Sequence, residues 1–199
     1  MKKLLLTGFE PFLDFPINPT KQIVEELDGT TINDYFIVGK ILSVDFSKSG
    51  DEILEHFDTV APDVVISLGL SGGRFKITPE RIGVNCNDGA KDNNGNQPVD
   101  EKIIEEGPDA IFSTLPIRKM VQSLTENGLP ADISNTAGTY LCNHVMYRML
   151  YHIKTNQLNV KSGFIHIPAS HELAIQHGKI PSMSHADLVR GIRLCIKEM

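Results

Sequence analysis

The chain has 199 residues, of which 41% are hydrophobic and 22% charged, a size that suits one globular domain over residues 1–199 and a balance that excludes disordered, collagen-like and low-complexity classes. A net charge of −6 and a pI near 5.6 argue against an electrostatic grip on phosphate backbones, so nucleic acid is not an expected partner. Three cysteines, Cys86, Cys142 and Cys195, are odd in number and not closely spaced, which points to reduced thiols rather than a disulfide framework.

The first apolar run, Leu4 to Leu6, follows two lysines but is shorter than the roughly 7 to 15 apolar residues of a secretory core, and no stretch approaches the roughly 18 of a membrane helix. A soluble, cytoplasmic protein is expected. The run reads as a strand ending at Thr7-Gly8. A helix then begins near Asn18-Pro19-Thr20, with Ile23, Val24 and Leu27 on one face. Phe36 to Leu42 reads as a strand, Ser49 to Phe57 as a helix, and Asp63 to Leu70 as a buried strand. Such alternation predicts an α/β protein with a mostly parallel sheet covered on both faces. Residues 71–100, with five glycines and a polar cluster from Asn85 to Gln97, read as a long loop with a short hairpin, expected near a site. The alternation resumes with a strand at Ile111-Phe112, a helix over Ile117 to Glu126 closed by Asn127-Gly128, and a helix over Thr139 to His152. Gly163 to Pro168 reads as the last strand, and Ala186 to Lys197 as a closing helix capped by Ser184.

Cys142 lies where the small and polar turn Ser134 to Thr139 enters the apolar period of Val145, Met146, Met149 and Leu150, so it falls in the first turn of a helix. Free N–H groups and the positive helix end there favour a thiolate, with pKa values of roughly 3.5 to 7.5 in reactive examples, and can hold an oxyanion. The same position also describes an inert core cysteine, the commoner case. His166 interrupts an apolar strand close to the carboxyl edge of the sheet, where open α/β proteins place their sites. Alone it reads as a packed histidine, but beside a thiol it would serve as base and acid. Glu80 could orient that imidazole or be a solvated carboxylate paired with Arg81. Gly72-Gly73-Arg74 follows a strand and offers a weak anion cradle, without a Walker or dinucleotide pattern. No metal is expected. His171-Glu172 begins like a zinc helix but meets Ile175 instead of a second histidine, and Asp92, Asn94, Gly95 and Glu101 fit a calcium loop whose first position would be Ala90. His56, His144, His152, His177 and His185 read as surface or helix residues without partners, and Cys86 and Cys195 as structural.

Six segments taken together resemble the type I pyroglutamyl peptidases, or pyrrolidone-carboxylate peptidases, in order along nearly the whole chain. They are Gly8-Phe9-Glu10-Pro11-Phe12, Gly72-Gly73-Arg74, Pro79-Glu80-Arg81, Gly95-Asn96-Gln97-Pro98, Ser134 to Asn143, and Gly163 to Pro168. The resemblance implies a three-layer α/β/α sandwich of the phosphorylase/hydrolase type and a Cys142-His166-Glu80 triad that removes N-terminal pyroglutamate from peptides, without a cofactor and often in a homotetramer. It implies an apolar ring pocket from Phe9, Phe12, Val44, Leu70, Tyr140 and Leu141, where a small uncharged lactam is favoured and a free amino terminus would have to be desolvated. The chain departs from the family at Leu70, where Gln is usual, and at Asp88 to Asn93, one residue shorter, where the family's Arg has no clear counterpart and Lys91, lacking the planar fork, would be an imperfect substitute. Competing expectations are a pyroglutamyl-binding homologue without turnover and a nucleoside phosphorylase-like enzyme that uses Gly72-Gly73-Arg74 for phosphate.

Overall fold

The computed structural model describes residues 1–199. A six-stranded sheet is built from β1 (Lys2–Phe9), β2 (Thr31–Ile32), β3 (Tyr35–Leu42), β4 (Val64–Leu70), β5 (Thr78–Pro79) and β8 (Lys161–Ile167), in the order β2-β3-β1-β4-β8-β5. The four central strands run parallel, and the short edge strands β2 and β5 run antiparallel to their neighbours. β4 is buried along its whole length, as a sequence apolar but for Ser67, whose hydroxyl accepts from Thr7, requires of a central strand covered on both faces.

Alternation along the strands sorts the core into two layers. Leu4 and Leu6 of β1, Ile66 and Leu68 of β4, and Ile165 and Ile167 of β8 pack in one cluster with helices α1 (Pro19–Leu27), α3 (Ile117–Glu126) and α6 (His185–Lys197). Leu5, Val65 and Phe164, one residue out of step, face α2 (Ser49–Val60) and α4 (Leu141–Thr155). The result is the three-layer α/β/α sandwich, and each fully buried Leu or Ile stabilises it by roughly 1.5–3 kcal/mol. Local signals set the helix starts. The Asn18 side chain accepts from the Thr20 N–H ahead of Pro19, and Ser184 accepts from the Asp187 N–H, which satisfies donors the helices leave open.

Residues 71–112 depart from the expected hairpin. β5 joins the main sheet beside β8, while β6 (Ile82–Val84) pairs antiparallel with β7 (Ala110–Phe112) in a separate ribbon. Ile111-Phe112 therefore does not extend the parallel sheet. The segment between them is held by side chains: Asn85 Oδ1 accepts from the N–H groups of Ile103 and Ile104, and its amide donates to the carbonyls of Ile104 and Gly107. Besides β2, three further elements have no counterpart among the expected ones, the paired strands β9 (Ala169–Ser170) and β10 (Ser182–Met183) and the helix α5 (His171–His177), which Ser170 caps and Gly178 ends at φ 77°. No helix is long and apolar enough to cross a membrane.

His144 corrects an expectation, because it is buried and does have a partner. Its Nδ1 lies 3.0 Å from Asn87 Oδ1, and its ring meets Phe46 edge-on. Burial first, then the Arg148 cation, push its pKa from 6.5 down to about 4, against a smaller opposing pull from Asp51. A histidine held neutral in the fold contributes stability that is present above its unfolded pKa near 6.5 and lost as pH falls through about 4. Thermal denaturation between pH 7 and 4 is expected to show a falling Tm, with a shallower fall in His144→Gln. His56 is shifted in the same direction, so the variant isolates the His144 share, and equal slopes would remove it.

Candidate active site

The carboxyl ends of β4 and β8 and the amino end of α4 converge at one edge of the sheet. His166 stands on the α4 side of β8, in register with Gly69 of β4 on one flank and Thr78 of β5 on the other. Its exposure is 5%, and that of Glu80 is 0%. His166 Nδ1 lies 2.7 Å from Glu80 Oε1. A carboxylate oxygen accepts, so Nδ1 carries the hydrogen and Nε2 is left as the acceptor of the neutral ring. Glu80 is not the solvated partner of Arg81. Adjacent residues of an extended segment point to opposite sides, and Arg81 Nε donates to Asn135 Oδ1 at 2.7 Å instead. The cation on Glu80 is Arg74, whose Nη1 donates to Glu80 Oε1 at 2.6 Å.

Cys142 is the second residue of α4. Tyr140 occupies the N-cap position with an extended backbone and no side-chain cap bond, so the N–H groups of the first turn are not consumed by a capping side chain. Asn143 fastens this helix start to the β6 segment: its Oδ1 accepts from the Val84 N–H, and its Nδ2 donates to the carbonyls of Val84 and Cys86. The preceding turn is fixed by Gly138 at φ 77° and by Thr139, which donates to the Asp88 carbonyl and accepts the Asp88 N–H.

The Cys142 residue keeps some exposed surface, but its sulfur packs inward against Gly69 and Phe164, where even one added carbon on Gly69 would sit 2.8 Å from Sγ and 2.6 Å from the Phe164 ring. Burial accordingly pushes the thiol up to about 12, the Glu80 carboxylate adds to the rise, and Arg74 opposes it. The low thiol pKa expected from the helix start is thus overridden by desolvation. The free site holds a neutral thiol, and chemistry there requires a base to take its proton as attack proceeds. The glycine is itself a constraint. Gly69→Ala is expected to lower kcat about a hundredfold, the order of loss for a displacement near 1 Å, with a stability cost of about 1–3 kcal/mol from overpacking. Steady-state kinetics with thermal denaturation checks this, and wild-type kcat would contradict the close fit.

Phe9, Phe12, Val44, Leu70, Tyr140 and Leu141 line a narrow pocket with Cys142 at its wall, an empty space of about 240 Å³ counting its open mouth. Phe9, Val44, Leu70 and Leu141 are buried, and the rings of Phe12 and Tyr140 lie 6.3 Å apart. Burial first, then the nearby Asp92 and Cys142, push the Tyr140 phenol up to about 12, so that wall is uncharged at neutral pH. Asn18, expected only at the start of a helix, also lines the pocket. Its signal was the dual duty of an asparagine between a Phe-rich loop and a helix, for its amide also donates to the Glu10 carbonyl at 3.0 Å.

The 88–97 loop closes over this wall. Asp92 accepts from the N–H groups of Phe46, Asn94 and Asn96 and from the Asn96 amide, so its carboxylate is an anchor for backbone rather than part of a cation site. Asn93 donates to Glu10 Oε1 and to the Pro11 carbonyl, and Tyr140 donates to the Lys91 carbonyl. The Lys91 residue is exposed. Arg74 does not form an anion cradle with Gly72-Gly73, because its guanidinium is engaged by Glu80, Thr78 and the Thr136 carbonyl.

Comparison with known proteins adds an independent line. The pyroglutamyl peptidase family model matches residues 2–199. A pyrrolidone-carboxylate peptidase of Oceanobacillus iheyensis is 58% identical over 196 residues, covering 98% of each chain. One of Lysinibacillus sphaericus is 59% identical over 198 residues, covering 100% of this chain and 97% of the relative. The solved structure of pyrrolidone carboxyl peptidase from Thermococcus litoralis is similar with a TM-score of 0.96 at 41% identity, covering 100% of this chain and 93% of that one.

Proposed function

The chain belongs to the pyroglutamyl peptidase family, and from that premise we propose that it is a cysteine peptidase that removes N-terminal pyroglutamate from peptides, with Cys142 as nucleophile, His166 as base and Glu80 as the orienter of His166. The reading is carried by one juxtaposition: a small apolar pocket has Cys142 in its wall, and the sulfur packs against Gly69, the residue in register with His166 of a buried imidazole–carboxylate pair.

His166 Nε2 takes the thiol proton as Sγ attacks the carbonyl that follows the lactam ring. The oxyanion develops toward the uncapped N–H groups at the start of α4. His166 then returns the proton to the leaving amine, the peptide shortened by one residue departs, and an acyl-thioester remains. Water, deprotonated by His166, attacks the thioester, releasing pyroglutamate and restoring the thiol. Glu80 accepts from Nδ1–H throughout and favours the imidazolium formed in each half-reaction. The ring pocket of Phe9, Phe12, Val44, Leu70, Tyr140 and Leu141 selects the lactam because it has no charged group to meet an ammonium, whose burial without a partner is costly. The same reading takes residues 1–199 as a single peptidase domain, cytoplasmic, in a homotetramer.

Purified, reduced protein is incubated with a pyroglutamyl aminocoumarin amide beside the prolyl and glutamyl amides, with and without iodoacetamide. Release confined to the pyroglutamyl compound and stopped by alkylation is expected. Equal release from all three would overturn the assigned specificity, and release that survives complete alkylation would overturn the thiol mechanism. Sedimentation of the same sample tests the tetramer.

A further inference from the structure

The catalytic steps give Arg74 no task, yet it is the residue most closely tied to both halves of the site. Its side chain is 28% exposed. Nη1 donates to Glu80 Oε1 at 2.6 Å and to Thr78 Oγ1 at 2.6 Å, and Nη2 donates to the Thr136 carbonyl at 3.1 Å. Each partner belongs to a different support. Thr78 is in β5, the strand in register with His166. Glu80 is the acceptor of His166 Nδ1. Thr136 lies in the turn that delivers Cys142.

The load on Glu80 is one-sided. Oε1 receives both Arg74 and His166, while the buried Oε2 has no partner. A carboxylate has two equivalent oxygens and turns freely unless something distinguishes them. Here the distinction comes from a guanidinium that is itself immobilised at Thr78 and Thr136. We propose that Arg74 is a positioning residue of the reaction, whose planar fork holds Glu80 behind His166 and ties that pair to the turn before Cys142. The proposal rests on the reading of Cys142, His166 and Glu80 given above. Lysine could supply the charge but not the divergent arms. The charge has its own effect, since among the titratable groups around the thiol, Glu80, Tyr140, His166 and Arg74, only the last carries a permanent positive charge to oppose Glu80.

The test uses full-length Arg74→Gln and Arg74→Lys beside wild type and Cys142→Ala. It reads kcat and KM on the pyroglutamyl amide, Tm, and the iodoacetamide rate at Cys142 followed on its own peptide by mass spectrometry across pH. Arg74→Gln is expected to lose roughly 10- to 100-fold in kcat, the worth of one hydrogen bond to a charged group, with KM within about twofold of wild type. Its Cys142 alkylation profile moves to higher pH, which a loss of stability alone would not produce. Arg74→Lys keeps the alkylation profile near that of wild type and still loses about tenfold in kcat. Wild-type kcat in folded Arg74→Gln, or an effect confined to KM, overturns the proposal. Should Arg74→Gln not fold, Arg74→Lys decides: unchanged kcat overturns the proposal, and a lowered kcat at unchanged KM upholds it. Turnover retained by Cys142→Ala would sink the site reading itself, whereas an inactive Cys142→Ala beside an unaffected Arg74→Gln overturns only the role of Arg74.

Discussion

Alanine in place of Cys142 is expected to bring release from the pyroglutamyl amide down by roughly 10⁴-fold or more, because no other group in the pocket wall can form the acyl intermediate. Phe9, Phe12, Val44, Leu70, Tyr140 and Leu141 contribute no competing nucleophile, and Tyr140, the one hydroxyl among them, has its phenol pushed up to about 12. The fold should tolerate the change. The sulfur removed is a neutral thiol at physiological pH, so no buried ion is left without a partner, and only a single atom packed against Gly69 and Phe164 disappears. A stability change within about 1 kcal/mol is expected. Burst kinetics and thermal denaturation of the same preparation check both halves, and turnover near the wild-type rate would remove Cys142 as nucleophile.

The second large effect concerns the base. His166→Ala is expected to lose about 10³-fold or more at neutral pH, and the residual rate carries a signature. With the thiol pushed up to about 12 by burial and no imidazole to accept its proton, the reactive fraction between pH 7 and 9 is the spontaneous thiolate, which rises about tenfold per pH unit. Wild type should not follow that slope, because its base takes the proton during attack. Glu80→Gln leaves an oxygen able to accept from Nδ1–H, and its loss is expected to be smaller, about a hundredfold. A pH-independent residual rate in His166→Ala would argue that another group serves as the base, and equal, negligible losses in both variants would dismiss the pair.

Much of the frame is legible in the residues because it is written locally. α1 announces itself through Asn18-Pro19, α6 through Ser184, and β4 through an apolar run too long to face water on either side. Cys142 at a helix start follows from the same kind of signal. The features that are not legible are decided by residues distant in the chain. β5 is two residues long and contains Pro79, so nothing in its own sequence marks a strand, and it exists because β8 offers an edge. α5 has seven residues, too few for a periodic pattern to stand out. The thiol departs from expectation for a comparable reason: the helix start is visible in the sequence, but the desolvation comes from Phe164 and from the bare backbone of Gly69 on other strands. A glycine inside an otherwise apolar strand is the available sign of a close approach. Proximity alone pairs Glu80 with its neighbour Arg81, although alternation along an extended segment sends the two apart and leaves Arg74 to return from six residues earlier.

The position of β8 in the sheet has a consequence for how the protein comes into being. β8 lies between β4 and β5, and Glu80 meets its imidazole across 86 residues of chain. Closing so long a loop must precede any reward from that contact, and sheets assembled from distant segments form slowly. During synthesis, α4 with its thiol leaves the ribosome before the strand that carries His166, and a nascent chain ending before residue 161 lacks that histidine altogether. Any peptidase competence that depends on His166 is therefore withheld from chains that end before β8 and waits on the insertion of that strand.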